Sequence, residues 1–200
     1  MSNMESDTRS KILESAIDMV GLKGDVTIRE LTEIAGVNVA SINYYFGNKN
    51  NLLKEVEYHY STSLYNIQYN ILTSQELSPY DKILDWAKSM AGFIAQYPAL
   101  IGLIVNLATE DRSYKPALIQ KIYLNKELQA MIRGIIGAII KSDDEKLLNL
   151  KYLQIFSGIL GPVINRLVED SFSHEHSVIC LRSKEDLEDY MKLLINTVLA

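Results

Sequence analysis

The sequence predicts an all-α fold, and three observations carry that prediction. Apolar residues recur at intervals of three and four along most of the chain, the period of a helix with one buried face. Glycine and proline number only 10 and 4 in 200 residues, so few positions interrupt a helix. Thr27, Asn38, Asn48, Ser78, Ser142 and Ser183, whose side chains can cap helix starts, stand just ahead of the apolar stripes.

Residues 7–22 read as a first helix with Ile12, Leu13, Ala16, Ile17 and Val20 as its stripe, ended by Gly21 to Gly24. Thr27 caps a second, with Asp25 adding a carboxylate where the backbone dipole favours one. Its apolar face is Ile28, Leu31, Ile34 and Ala35. Gly36 follows where the chain must reverse, a position that suits positive φ. Asn38 caps a third helix with Val39, Ile42 and Phe46 on its apolar side. Helix, short glycine-containing turn, helix is the pattern whose second helix enters a DNA major groove.

Asn48 opens a long helix reaching about Leu72, with Leu52, Leu53, Val56, Tyr60 and Leu64 buried. Ser78-Pro79 starts another that ends at Tyr97-Pro98. Residues 99–109 are apolar nearly all round, which predicts a buried helix in which Asn106 needs a partner. A long helix is expected over 117–140, and one capped by Ser142 over 143–169, with Gly158, Gly161 and Pro162 permitting close approach and a kink. Residues 171–182 read as a loop. Ser183 and Asp186 form a capping box ahead of a final helix to Leu199.

Composition narrows the function. The lone Cys180 cannot form an internal disulfide, which fits a reducing cytoplasm. The N-terminus is polar, so no signal peptide is expected. The longest apolar runs, 99–107 and 155–163, read as too short to span a bilayer, so no membrane partner is expected. No phosphate loop, nucleophile elbow or His-Glu-x-x-His pattern is present, so the chain is not expected to be an enzyme or to carry a cofactor. Net charge is −5 overall. Residues 1–55 hold six basic side chains against eight acidic ones. Only the face turned to phosphate need be positive, so modest non-specific DNA affinity is expected.

The N-terminal quarter resembles the DNA-binding domain of the TetR/AcrR family of bacterial transcriptional regulators. The residues that carry the likeness are Thr8-Arg9, Ile12-Leu13, Ala16, Gly24, Val26-Thr27-Ile28, Ala35-Gly36-Val37, Tyr44-Tyr45-Phe46, Asn48-Lys49 and Leu52. Thr32 stands where the family often has alanine, and Asn43 where a tyrosine is frequent. The resemblance implies a helix-turn-helix DNA-binding domain over residues 1–50 and a helical ligand-binding and dimerisation domain over 51–200. It implies a homodimer bound to a palindromic double-stranded operator, most simply a repressor, released when a small molecule binds. Thr27, Arg29, Val39, Ser41, Asn43, Tyr44, Tyr45 and Lys49 are the residues it places toward DNA. Asn43 can read adenine through two hydrogen bonds, Arg29 can read guanine, and Lys49 can hold phosphate. Arg29 can equally pair with Glu33, four residues on. Thr8 and Arg9 either touch the DNA backbone or form a solvated helix start.

The last two long helices are expected to meet their copies in a four-helix dimer interface. Trp86, Met90, Phe93, Tyr97, Asn106, Tyr123, Met131 and Phe156 are the candidates to line an effector pocket, and few charges among them points to an apolar or aromatic effector. Each of these can also be plain core. Two alternatives stand beside this reading. His174, Glu175, His176 and Cys180 could make a metal-responsive regulator, although their spacing matches no closed zinc motif and no metal ligand is assigned. The chain could also bind DNA without any small-molecule ligand.

Overall fold

The computed structural model describes residues 3–23, 26–171, 181 and 183–200. Its described residues form helices and turns: α1 (Asn3–Lys23), α2 (Ile28–Ala35), α3 (Val39–Phe46), α4 (Lys49–Thr73), α5 (Pro79–Gln96), α6 (Ala99–Glu110), a π-helical turn (Ile119–Tyr123), α7 (Lys126–Ile140), α8 (Glu145–Ser171) and α9 (Lys184–Leu199). The all-α class is as the sequence predicts. His174, Glu175, His176 and Cys180, the metal alternative, lie outside the described residues, as does most of the loop expected over 171–182.

The chain packs as two compact units, one of residues 1–63 and 96–124, the other of 64–95 and 125–200. In the first, α1 packs on α2 and on α6. Ile12, Ala16 and Val20 of α1, Leu31 of α2, Ile42 of α3 and Leu52 and Val56 of α4 are buried together with Leu103 and Leu107 of α6. Tyr60 anchors α4 to α1 by donating to the Ile17 carbonyl at 2.7 Å, and its ring lies 4.7 Å from that of Tyr97. Gly21 makes room for it: a Cβ there would fall on the Tyr60 hydroxyl.

A buried carboxylate fixes α4 to the segment after α6. Glu57 is fully buried and accepts from the Tyr114 hydroxyl (2.7 Å), the Ala117 and Leu118 backbone N–H groups (3.0 and 2.7 Å) and Ser61 (2.8 Å). Four donors satisfy a charge that burial would otherwise make costly. Burial and the Glu57 carboxylate together raise the Tyr114 phenol well above its ordinary range. Lys54 meets Asp111 at 2.8 Å, Asn50 bonds Glu110, and Lys121 reaches Thr62 at 3.0 Å. The hydrogen bond from Lys54, aided by Ser113, holds the Asp111 carboxyl below the usual carboxylate range.

In the second unit α8 packs on α7 and α9, over a core of Leu128, Ile132, Ile136, Ile155, Ile159, Met191 and Ile195. Pro162 lies inside α8 and lacks the N–H that would serve the Gly158 carbonyl four residues back. The Tyr190 hydroxyl of α9 serves it instead, at 2.9 Å. Gly158 also lets α9 come close, since a Cβ there would meet the Leu194 side chain at 2.6 Å.

Five expectations need correction. The helix expected over 117–140 is two elements, because Asn125 turns its side chain back to accept from Glu127 and Leu128 N–H and starts α7 afresh. Asp144, not Ser142, caps α8, accepting from Lys146 and Leu147 N–H at 2.9 and 3.2 Å. Ile34 is exposed rather than part of the α2 core face. α6 is buried along Leu100, Leu103, Ile104 and Leu107 only, so Val105 and Asn106 are exposed and Asn106 needs no internal partner. Finally, residues Glu145–Asn165 of α8 are long and apolar enough, by length and composition, to cross a membrane, and only 11% of that stretch is buried. Its exposed apolar side chains are Leu150, Leu153 and Ile164, and Leu193 is exposed on α9.

Candidate nucleic-acid interface

The site is built by two caps and a turn. Thr27 accepts from Glu30 N–H at 3.2 Å while Glu30 accepts from Thr27 N–H at 3.1 Å, the reciprocal capping box that starts α2. Leu31 and Ala35 bury the inner face of α2. Gly36 then takes φ 65°, ψ 36°, and its N–H returns to the Thr32 carbonyl. Asn38 accepts from Ser41 N–H at 2.9 Å and starts α3.

On α3, Ile42 and Phe46 are one turn apart and buried. This fixes the helix's rotation, so the opposite positions must face out. Val39, Asn43 and Tyr44 are exposed, with Tyr44 at 73% and Val39 at 48%. Ser41 and Tyr45 are half-buried; the Tyr45 ring stands edge-on to Tyr44 at 4.9 Å, and the Ser41 hydroxyl donates to Asn38. Lys49 is half-buried at the start of α4, after Asn48 accepts from Asn51 N–H at 2.9 Å.

Three cations of this region already have carboxylate partners. Arg9 grips both oxygens of Glu55, at 2.6 and 2.7 Å, and lies over the Phe46 ring, 4.8 Å from its centroid. It ties α1, α3 and α4 together, with its side chain 37% exposed. Lys54 pairs with Asp111. Arg29 pairs with Glu33 at 3.3 Å, but its side chain is 90% exposed, and so exposed a pair is weak enough to exchange for a phosphate or a base edge. The Thr27 hydroxyl donates to Glu30 at 2.7 Å, so it must leave that bond to donate to phosphate.

The effector candidates divide between the units. In the second, Trp86, Met90 and Phe93 of α5 are buried, while Met131 and Phe156 are half-buried. In the first, Tyr97 is half-buried against Tyr60, and Asn106 and Tyr123 are exposed. Met131 lines a cleft of about 250 Å³ with Leu72, Pro79, Lys82, Gly134 and Ile135. Gln68, which sequence reasoning passed over, is buried in the same unit without a hydrogen-bond partner. Its only sequence signal is a polar residue four places from Leu64 and from Leu72 on an otherwise apolar stripe.

A capped helix pair with a glycine turn, presenting one polar-aromatic face of its second helix, is a helix-turn-helix. Residues 12–56 match the family of bacterial regulatory proteins, tetR family. Over that segment the chain is similar to the DNA-binding part of TetR-family regulators. Over 114 residues it is 31% identical to the "Probable HTH-type transcriptional regulator YttP" of Bacillus subtilis (strain 168); the match covers 56% of this chain and spans about half, 47%, of that relative. The fold is shared with solved structures. One, from Mesorhizobium loti MAFF303099 and assigned to the TetR family, covers 99% of this chain and 98% of its own at 16% identity with a TM-score of 0.73. Another, the ketosteroid transcriptional regulator KstR2 of Mycobacterium tuberculosis, covers 94% and 93% at 17% identity with a TM-score of 0.61. Each of these relatives is named as a transcriptional regulator.

Proposed function

We propose that this regulator is a cytoplasmic homodimer that binds a palindromic operator and leaves it when a small apolar or aromatic effector binds, acting as a repressor. The observation that carries the DNA-reading part is the exposed α3 face of Val39, Asn43 and Tyr44, held outward by buried Ile42 and Phe46. Asn43 reads adenine, Val39 meets a thymine methyl, and Tyr44, Tyr45, Ser41, Thr27 and Lys49 hold the backbone. Arg29 exchanges Glu33 for DNA. We assign residues 1–50 to DNA reading and 51–200 to effector binding and dimerisation.

The dimer reading is supported by the uncovered apolar side chains of α8 and α9, Leu150, Leu153, Ile164 and Leu193. A second copy of the same two helices would bury them by two-fold symmetry. A shift in the spacing of two recognition helices would then lower DNA affinity, and DNA would weaken effector binding reciprocally. Footprinting of the DNA that the protein selects from random sequence tests this. The expected footprint is two-fold symmetric, with half-sites about one helical turn apart. A single asymmetric half-site would refute the dimeric reading head.

A further inference from the structure

In the unit of residues 64–95 and 125–200, Leu72 of α4, Lys82 of α5 and Met131, Gly134 and Ile135 of α7 line one cleft of about 250 Å³. Lys82 is the one charged residue among those that line it. It is half-buried, and among the described residues it has no ion-pair partner. The two carboxylates nearest to it along α5 are engaged elsewhere. Asp81 accepts from the Ser78 hydroxyl at 2.6 Å, and Asp85 lies 3.9 Å from Lys88. A half-buried ammonium gives up part of its hydration, and a carboxylate beside it would make that good. Gly134 keeps the cleft open. A Cβ there would meet nothing within 4 Å, so the space over this side of α7 is empty. Glycine weakens a helix interior, and Gly134 does not take the positive φ that would demand one. The fold by itself therefore gives no reason for a glycine at this position.

We propose that this cleft binds a small amphiphile with one carboxylate. The carboxylate accepts from Lys82 Nζ, and the apolar body lies over Gly134 against Leu72, Met131 and Ile135. The cleft has the volume of about eight water molecules at ~30 Å³ each, so the body has about eight non-hydrogen atoms, a medium alkyl chain or a single ring. A cationic ligand is repelled by Lys82, and a neutral one leaves it unpaired. The proposal adds an anionic end to the apolar effector proposed above. It rests on that reading for its effect on DNA, but the site is testable without it.

Octanoate, 1-octanol and octylammonium share one tail and differ in the charge of the head. In calorimetric titrations of the full chain, octanoate should bind most tightly and octylammonium least. Octanol should bind about fivefold more weakly than octanoate, the scale of one partly exposed ion pair. Lys82→Met should remove the preference for octanoate over octanol, and Lys82→Arg should keep it. Gly134→Leu should abolish octanoate binding while leaving the unliganded melting temperature unchanged or higher, because leucine favours a helix and its side chain enters open space. No preference for octanoate, the same preference in Lys82→Met, undiminished binding by Gly134→Leu, or a marked fall in that variant's melting temperature would overturn the site. So would dissociation of the dimer by Gly134→Leu, which would give the cleft to a second copy of the chain. If octanoate binds through Lys82 without altering operator affinity, the site stands and the effector reading falls. If an apolar compound releases DNA equally from parent and Gly134→Leu, the effector reading stands and this site falls.

Discussion

Asn43 and Tyr44 owe their outward position to Ile42 and Phe46, which are buried beside them on α3. Because the exposed pair supports nothing inside, Asn43→Ala and Tyr44→Ala should leave the melting temperature nearly unchanged. Each should weaken operator binding, Asn43→Ala by about 1–3 kcal/mol if it reads a base through two bonds, measured by fluorescence anisotropy. Tyr60 is the contrasting residue. Burial first, then Tyr97 and Asp18, push its phenol up to about 12. An unfolded tyrosine loses its proton near pH ~10. The folded chain therefore holds the proton more tightly, and the stability this contributes is complete below pH ~10 and lost as pH rises toward about 12. Melting temperature should fall across that window, and the fall should be shallower in Tyr60→Phe.

At the scale of elements, Pro162 survives inside α8 because Tyr190 supplies the hydrogen bond that proline withholds. Tyr190→Phe should cost about 1 kcal/mol, the value of one hydrogen bond with a partly buried partner, read from urea unfolding. The helix ends were the most legible part of this fold. Thr27, Asn38, Asn48, Ser78 and Ser183 cap where the sequence placed them, because a cap is a contact between residues two or three apart. The exposed side of α3 was legible for the same reason, since its rotation follows from local spacing. What stayed hidden depends on distant partners. The exposure of Ile34 and of one side of α6 is set by what packs against them, which periodicity does not record. The ion pair of Arg9 was not legible, because Glu55, its partner, is 46 residues away. The break at Asn125 was readable in principle, as a capping residue inside an apolar run. Gln68 carried no more than an odd residue in a stripe.

At the scale of the whole molecule, the uncovered side chains of α8 and α9 set the oligomeric prediction. Leu153→Glu with Leu193→Glu should turn a dimer into a monomer in sedimentation without loss of helicity, since both side chains are more than half exposed in the isolated chain. Operator binding should fall with it, as two reading heads become one. Charge sets a second prediction. The proposed interface takes two cations from each subunit, Arg29, which gives up its exposed pair with Glu33, and Lys49. Four such contacts per dimer give a slope of about −4 in log affinity against log salt. A regulator with that slope would not be soaked up by the rest of the chromosome. Few copies per cell then suffice to keep its target occupied, and extra copies of that target on a plasmid would quickly strip it bare.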